Sequence, residues 1–212
     1  MTSITIVITD DHRVVASSLK AYLESFPDLK VVGMAQSGEV LLKQVHEWSP
    51  AIVLLDLLMP GGIDGVETAR RLRKLVPDVR VIALTASIDE ARMMGVLKAG
   101  AQGYVRKDAD PEVLIAAIRA VACGRTFIDP AVARQIAVSE MPGVELTSRE
   151  LDVLRQVALG RTNHEIADAL SIGEETVKTH VMHVLSKLMV ENRAQAIVQA
   201  LKRGLVTLDE LD

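Results

Sequence analysis

Hydrophobic and polar positions change their rhythm near residue 140 of the chain. Before that point, short apolar runs rich in β-branched residues alternate with stretches of helical periodicity. The five apolar runs lie at residues 4–9, 30–35, 51–57, 80–85 and 103–106. Strands that alternate with helices predict a parallel sheet with helices on both faces.

The helical stretches between these runs begin at recognisable capping residues. A cap residue followed three positions later by an acid, or by proline at the first helical position, marks a helix N-terminus. The marked starts are Ser37, Asp64 with Glu67, Ser87 with Glu90, and Asp110 with Pro111. The capping residues therefore support the predicted starts of four helices.

After residue 140 the alternation ends and the pattern predicts four short helices. Two of them begin with capping boxes, Thr147 with Glu150 and Thr162 with Glu165, and Gly160 separates them. A third helix follows Gly173, and a fourth begins at Asn192. We therefore predict an α/β domain over residues 1–126, a linker over 127–145 with a short helix near 131–138, and an all-α domain over 146–212.

Composition narrows the class of protein further. The chain has 212 residues, 49% of them hydrophobic, but its apolar runs are too short to cross a bilayer. Its first residues lack the features of a secretory signal. Cys123 is the only cysteine, so no internal disulfide can form and a reducing compartment is indicated. We expect a cytoplasmic protein with no membrane partner, in which Cys123 is buried and inert.

Polar residues stand at the ends of four predicted strands. Asp10 and Asp11 close the first, Asp56 the third and Thr85 the fourth, and Lys107 follows the fifth. The carboxyl ends of parallel strands share one edge of the sheet, where ligands bind. Carboxylates brought together there repel one another, and a hard divalent cation such as Mg²⁺ would relieve that repulsion.

This set of residues suits phosphoryl transfer. An ionised carboxylate held beside Mg²⁺ can attack phosphorus, and Asp56 is the best placed nucleophile. Lys107 would neutralise charge on the phosphoryl group, and Thr85 would donate a hydrogen bond to it. Each acid alone is more often a helix cap than a ligand, so the prediction depends on the whole cluster.

The third helix of the second domain has two distinct faces. Its packed face carries Val177, Val181, Val184 and Leu188, and its opposite face is polar apart from Met182. A short helix over 163–170 and a tight turn precede it, which is the geometry of a helix-turn-helix. Residues 144–212 hold eight basic and eleven acidic side chains, whereas residues 176–203 hold five basic and one acidic. We therefore expect weak, salt-sensitive DNA binding that depends on pairing of two chains.

Several motifs resemble a known family. ITDDH, LLDLLMPGGIDG, IALTAS and GYVRKDAD resemble the signature of receiver domains. LTSRELDVL, LGRTNHEIADAL, GEETVKTH and LSKLMVENRAQA resemble LuxR-type helix-turn-helix domains. The chain thus resembles two-component response regulators of the NarL/FixJ group. The resemblance implies a flavodoxin-like (βα)5 receiver with parallel sheet order 2-1-3-4-5, followed by an all-α four-helix domain.

The resemblance also implies residue roles in the receiver. Asp56 would accept phosphate from a partner histidine kinase, and Mg²⁺ would be held by Asp11, Asp56 and the Leu58 carbonyl, with Asp10 acting through water. Lys107 would bind the phosphoryl group, while Thr85 moves inward and Tyr104 rotates into the vacated space. Such a protein is not an enzyme, because it catalyses only its own phosphorylation and dephosphorylation.

For the second domain, the resemblance implies binding to inverted repeats in double-stranded DNA by a homodimer formed on phosphorylation. Bases would be contacted by Lys178, Thr179 and Met182. Phosphates would be nearer Asn163, Thr176, His180 and Lys187. A dimer face would include Ile197, Val198, Leu201 and Leu205, although the same periodicity fits core packing equally well.

Two features of the first domain depart from the family pattern. Gly61, Gly62 and Ile63 make three residues between Pro60 and Asp64, where two are usual. Leu58 is apolar where many relatives are polar, which leaves the dephosphorylation rate open. An apolar Leu58 also disfavours a haloacid-dehalogenase-like phosphatase, which needs an acid there, and 2% aromatic content disfavours a ligand-sensing LuxR regulator. A regulator that dimerises without phosphorylation stays an alternative.

Overall fold

The computed structural model describes residues 3–86, 89–137 and 146–207. The chain divides into two compact units, Met1–Cys123 and Gly124–Asp212. Ser87, which the sequence marks as a helix start, and residue 138, the predicted end of a linker helix, lie outside the described residues.

The first unit alternates strands and helices along its whole length. The strands are β1 (Ile4–Thr9), β2 (Leu29–Ala35), β3 (Ile52–Asp56), β4 (Arg80–Thr85) and β5 (Gly103–Arg106). The helices are α1 (Arg13–Leu23), α2 (Gly38–Trp48), α3 (Gly65–Leu75), α4 (Glu90–Lys98) and α5 (Pro111–Ala122). These strands pair in parallel in the order β2-β1-β3-β4-β5, which confirms the predicted flavodoxin-like topology.

The central strand β3 is buried on both faces. Its apolar residues have no exposed surface, and Asp56 at its end is 1% exposed. A strand covered on both faces reads as a continuous apolar run instead of an alternating one. Burial of β3 therefore brings the Asp56 carboxylate into a water-poor setting at the edge of the sheet.

The helix caps agree with the sequence pattern at most positions. Ser37 accepts a hydrogen bond from the Val40 N–H, and Asp64 accepts one from the Glu67 N–H. At α4 the capping side chain is Asp89, which accepts from the Arg92 N–H. Asp110 precedes Pro111 as predicted, but its side chain makes no capping hydrogen bond. The extended Asp110 and the fixed backbone of Pro111 are enough to start α5.

The second unit contains the four predicted helices, α7 (Ser148–Ala158), α8 (Asn163–Leu170), α9 (Glu174–Lys187) and α10 (Arg193–Lys202). Both capping boxes form with reciprocal hydrogen bonds. The unit also contains a two-residue strand, β6 (Phe127–Ile128), and a helix, α6 (Pro130–Ala137). Regular structure thus occupies much of the segment that the sequence suggests is a linker.

The proposed dimer face of α10 is buried within the single chain. Ile197, Val198 and Leu201 are at most 3% exposed, and Leu205 packs against a core cluster around Leu154. Helices α6, α7 and α9 all pack against α10. Of the two interpretations that periodicity allows, core packing therefore describes these residues in the isolated unit.

Two further expectations concern single residues and membrane segments. Cys123 is exposed, so the prediction that it is buried is wrong. It follows the last turn of α5, beyond Val121, where the buried face of that helix ends. Among the described residues, no helix combines the length and the apolar character that a bilayer crossing requires.

Candidate functional site

Three acids and a histidine meet at the carboxyl edge of the sheet. Asp10, Asp11, His12 and Asp56 each offer one ligand atom, and these atoms all lie within 4.8 Å of one another. Asp10 and Asp56 are each 1% exposed, whereas His12 is largely exposed. The parallel topology places the ends of β1 and β3 side by side, as the sequence predicts.

Lys107 connects the two buried acids. Its Nζ lies 2.7 Å from Asp10 Oδ2 and 2.7 Å from Asp56 Oδ2. Burial lowers the pKa of Lys107, but the hydrogen bonds that Lys107 donates to Asp10 and Asp56 outweigh burial, and the net shift of that pKa is upward. The ammonium group therefore remains charged and partly neutralises the two carboxylates.

The remaining carboxylate oxygens have distinct surroundings. Asp56 Oδ1 accepts a hydrogen bond of 3.0 Å from the Leu58 N–H, and Asp10 Oδ1 accepts one of 2.9 Å from the His12 N–H. Asp11 Oδ1 lies 2.9 Å from His12 Nδ1. It is shielded from solvent yet makes no hydrogen bond of acceptable geometry with any described residue. A shielded carboxylate oxygen without a hydrogen bond, beside two further acids, fits a divalent cation with oxygen ligands.

The loop after Asp56 follows a path fixed by α2. Gly61 has φ +88°, and the Ile63 N–H donates a 2.8 Å hydrogen bond to Glu39 Oε1. A Cβ added to Gly62 would lie 2.5 Å from the same oxygen, so a larger residue there would displace the Glu39 side chain. The hydrogen bond from Ile63 is the main reason that the pKa of Glu39 is lowered. The extra residue of this loop is thus accommodated by two glycines and one acceptor on α2.

Thr85 and Tyr104 are both buried beside the site. Thr85 is 2% exposed and Tyr104 has no exposed surface. Burial raises the pKa of Tyr104, and the nearby Thr85 side chain opposes that rise. The Tyr104 hydroxyl makes no hydrogen bond of good geometry within the described part of the chain. Both members of the proposed switch pair therefore lie in the interior of the receiver.

Most of the predicted DNA-contact residues lie on the outer surface of α9. Thr176, Lys178, Thr179 and Met182 are exposed, and Met182 keeps 60% of its surface accessible. Lys178 Nζ lies 2.6 Å from Glu175 Oε1, and Thr179 Oγ1 donates to the Glu175 carbonyl at 3.0 Å. Helix α8 precedes α9 through Ser171, which has φ +51° and ends α8. The two helices therefore form the predicted helix-turn-helix, with Met182 on the exposed face of α9.

The other three predicted contact residues are partly buried or paired. His180 and Asn163 have intermediate exposure. Lys187 Nζ lies 2.6 Å from Glu150 Oε2, across 37 residues of sequence. The hydrogen bond from Lys187 is the largest cause of the low pKa of Glu150, which falls to about 2. Lys187 thus has an internal partner that sequence periodicity did not indicate.

Two family models together cover most of the chain. Residues 6–119 match the response regulator receiver domain, and residues 144–200 match the bacterial regulatory proteins of the luxR family. The first match contains the acidic cluster and Lys107, and the second contains α7 to α9.

Curated relatives are similar over nearly their whole length. The transcriptional regulatory protein LiaR of Bacillus subtilis is 37% identical over 210 residues, which cover 96% of this chain and 99% of that protein. DegU of Brevibacillus brevis is 36% identical over 225 residues, covering 96% of this chain and 95% of the relative.

Solved structures give the same result. The response regulator ChrA of a haem-sensing two-component system is 35% identical, with a TM-score of 0.55, 97% of this chain covered and 100% of that one. The response regulator RcsB in complex with DNA is 26% identical, with a TM-score of 0.60 and 95% and 99% covered.

A receiver fold with an acidic edge, followed by a LuxR-type helix-turn-helix, defines the class of two-component response regulators. The chain belongs to this family and has a LuxR-type DNA-binding domain. Its members are signalling proteins and regulators of transcription, not classical enzymes.

Proposed function

We propose that Asp56 accepts a phosphoryl group from a partner histidine kinase in the presence of Mg²⁺, and that this promotes dimerisation and sequence-specific DNA binding in the cytoplasm. One observation supports the first step above all. Lys107 holds the buried carboxylates of Asp10 and Asp56 at 2.7 Å each, with Asp11 beside them. We further propose residues 1–126 as the receiver domain, 127–145 as the linker and 146–212 as the DNA-binding domain.

The proposed metal ligands are Asp11, Asp56 and the Leu58 carbonyl, with Asp10 acting through water. When bound, Mg²⁺ would neutralise negative charge on the phosphoryl oxygens and on the clustered carboxylates. The Leu58 N–H keeps Asp56 Oδ1 in place, and Lys107 stabilises the charge on the transferred group. A P–O bond to Asp56 forms as the P–N bond of the donor phosphohistidine breaks, and the imidazole keeps the electron pair.

The proposed response passes from Asp56 to Thr85, whose hydroxyl would bind a phosphoryl oxygen. As Thr85 moves inward, Tyr104, which is buried in the same domain, would rotate into the space that Thr85 leaves. A coupling of about 1 to 3 kcal/mol would shift a population roughly 5- to 150-fold. Such a shift is large enough to change the fraction of dimers.

In the second domain, Lys178, Thr179 and Met182 would contact bases in the major groove, and Asn163, Thr176, His180 and Lys187 would lie nearer phosphates. The exposed outer face of α9 and the similarity to the RcsB–DNA complex support this assignment. The exposed thioether of Met182 suits an apolar contact with a thymine methyl group. Lys187 would have to share its charge between Glu150 and the DNA.

The phosphoacceptor is tested by labelling with acetyl phosphate and Mg²⁺, followed by intact-mass and peptide mapping. We expect the wild-type chain to gain one phosphoryl group at Asp56 and Asp56→Asn to gain none. Asp108→Asn is the matched control, because Asp108 is an exposed acid that follows the same edge and pairs with Arg106. Labelling of Asp56→Asn at another residue would contradict the role of Asp56. An unlabelled wild-type chain that is already dimeric would instead favour a regulator that works without phosphorylation.

A further inference from the structure

Arg193 stands in an unusual setting at the start of α10. Its Nη1 donates a 3.1 Å hydrogen bond to Asn163 Oδ1. Its Nε and Nη2 are shielded from solvent and have no hydrogen-bond partner among the described residues. Burial lowers the pKa of Arg193 to about 10, and the charge of Glu165 opposes that effect. Burying hydrogen-bond donors without acceptors costs free energy. The position of this guanidinium therefore suggests a function that offsets this cost.

The contact fixes which end of the Asn163 side chain faces Arg193 and which end is left for another partner. A guanidinium can only donate hydrogen bonds, so the atom of Asn163 that it contacts must be the amide oxygen. The amide nitrogen Nδ2 is then turned away from Arg193. Within the part of the chain that the structure describes, Nδ2 makes no hydrogen bond. Asn163 thus has a free donor and an occupied acceptor.

Asn163 is the first residue of α8, the helix that precedes α9 in the helix-turn-helix. The first helix of this motif crosses the DNA backbone, while the second enters the major groove. Phosphate oxygens accept hydrogen bonds and cannot donate them, so an outward amide nitrogen suits them and an outward amide oxygen does not. The backbone N–H groups at the start of α8 favour an anion as well.

We propose that Arg193 is a positioning residue that orients the Asn163 amide so that Nδ2 donates to a DNA phosphate. This inference rests on the proposed DNA binding of the second domain. Arg193 would act through Asn163 and would not itself contact the DNA. The shielding of Nε and Nη2 is consistent with such an indirect role.

The decisive variant is Asn163→Asp in the full chain. The change keeps the shape of the side chain and the acceptor for Arg193, and it strengthens that contact by adding a charge. It also replaces the outward donor with a carboxylate oxygen, which a phosphate repels. We therefore expect a denaturant midpoint equal to or above that of the wild type, together with weaker DNA binding. No purely structural role for Asn163 predicts these two opposite effects.

The measurement is fluorescence anisotropy with a labelled duplex of mixed sequence, titrated at several salt concentrations. Phosphate contacts are independent of sequence, so no operator is needed. We expect affinity to fall about tenfold at low salt, and the slope of log affinity against log salt to become shallower by about 1. Ala169→Asp adds the same charge at the exposed far end of α8 and should leave the salt slope unchanged.

Two substitutions of Arg193 complete the test. Arg193→Met removes the donor and frees the amide to rotate, which should weaken binding roughly two- to threefold. Arg193→Lys keeps a donor for Asn163 Oδ1 and should restore most of the affinity. Wild-type binding with an unchanged salt slope in Asn163→Asp would overturn this inference alone, and so would a lower denaturant midpoint for that variant. A wild-type chain that fails to bind the duplex would overturn the proposed DNA binding and this inference with it.

Discussion

At the scale of single residues, the end of α9 has an unusual backbone. Met189 has φ +55°, and its N–H and that of Val190 bond the carbonyls of Ser186 and Leu185. The same pair of hydrogen bonds ends α7 at Gly160 and α10 at Gly204, both with positive φ. This helix ending favours glycine because a Cβ is strained there. Met189 is 90% exposed, so packing of its side chain offsets little of that strain.

Met189→Gly should therefore raise the free energy of unfolding by about 1 kcal/mol, the usual strain of a non-glycine residue in this conformation. Urea unfolding followed by far-UV circular dichroism measures the change. Gly204→Ala is the reverse control, because a Cβ there has open space around it and adds strain alone. It should lower the same free energy by a similar amount. A loss of stability in Met189→Gly would show that the methionine makes a useful contact.

At the scale of elements, the ion pair between Glu150 and Lys187 connects the start of α7 to the end of α9. Glu150 also accepts hydrogen bonds from the Thr147 N–H and hydroxyl, so a single carboxylate closes a capping box and holds a second helix. These contacts favour the ionised form, and the pKa of Glu150 in the folded chain is about 2, below its usual value of 4.5. The stabilisation is therefore complete above pH 4.5 and disappears as the pH falls towards 2.

The second unit should accordingly lose stability between pH 4.5 and about 2, and Glu150→Gln should lose less over that range. Glu165 has a pKa of about 2 for a similar reason, mainly its contact with Arg125, so part of the slope will remain. Urea midpoints by far-UV circular dichroism at each pH test this. Trp48, the only tryptophan, reports the first unit separately by fluorescence. Equal pH dependence in the variant and the wild type would rule out Glu150 as a source.

A helix or strand can be predicted from the sequence when the residues that determine it lie close together in the chain. The buried run of β3, the caps at Ser37 and Asp64 and both capping boxes are set by residues within four positions of one another, and all were predicted. The gathering of Asp10, Asp56 and Lys107 followed from parallel topology, which assigns all strand ends to one edge.

Contacts between segments that are distant in sequence leave no comparable pattern in the sequence. The hydrogen bonds that Ile63 donates to Glu39 and that Lys187 donates to Glu150 join residues 24 and 37 positions apart. In the sequence, Glu39 and Glu150 each look like an ordinary acidic residue in the first turn of a helix, so nothing indicates these distant contacts. The exposure of Cys123 likewise depends on where α5 ends, and the burial of Ile197 depends on which elements cover α10. These features can be identified only from the tertiary structure.

At the scale of the whole molecule, the packing of α6 on α10 affects whether two chains can pair through α10. Helix α6 lies between the two stretches that match family models, at residues 6–119 and 144–200. It packs against α10, the helix that the resemblance assigns to the dimer. The packing is incomplete, since a partly open cavity of about 190 Å³ is lined by residues of α6, α7 and α10, including Ala133, Ala158 and Ile197. A helix that packs over a cavity makes fewer van der Waals contacts than a fully packed helix. Its detachment therefore costs less free energy.

A dimer through α10 would therefore require α6 to move away, and loosening α6 should promote it. Val132 on α6 has no exposed surface, and Val132→Asp would bury an unpaired charge unless the helix detaches. We expect sedimentation equilibrium to show a larger dimer fraction for this variant without a phosphodonor, with the Trp48 fluorescence of the first unit unchanged. Gln135→Asp places the same charge on the exposed side of α6 and should behave like the wild type. If Val132→Asp stayed as monomeric as the wild type although α6 had detached, a dimer through α10 would be excluded, and the receiver would have to supply the contact.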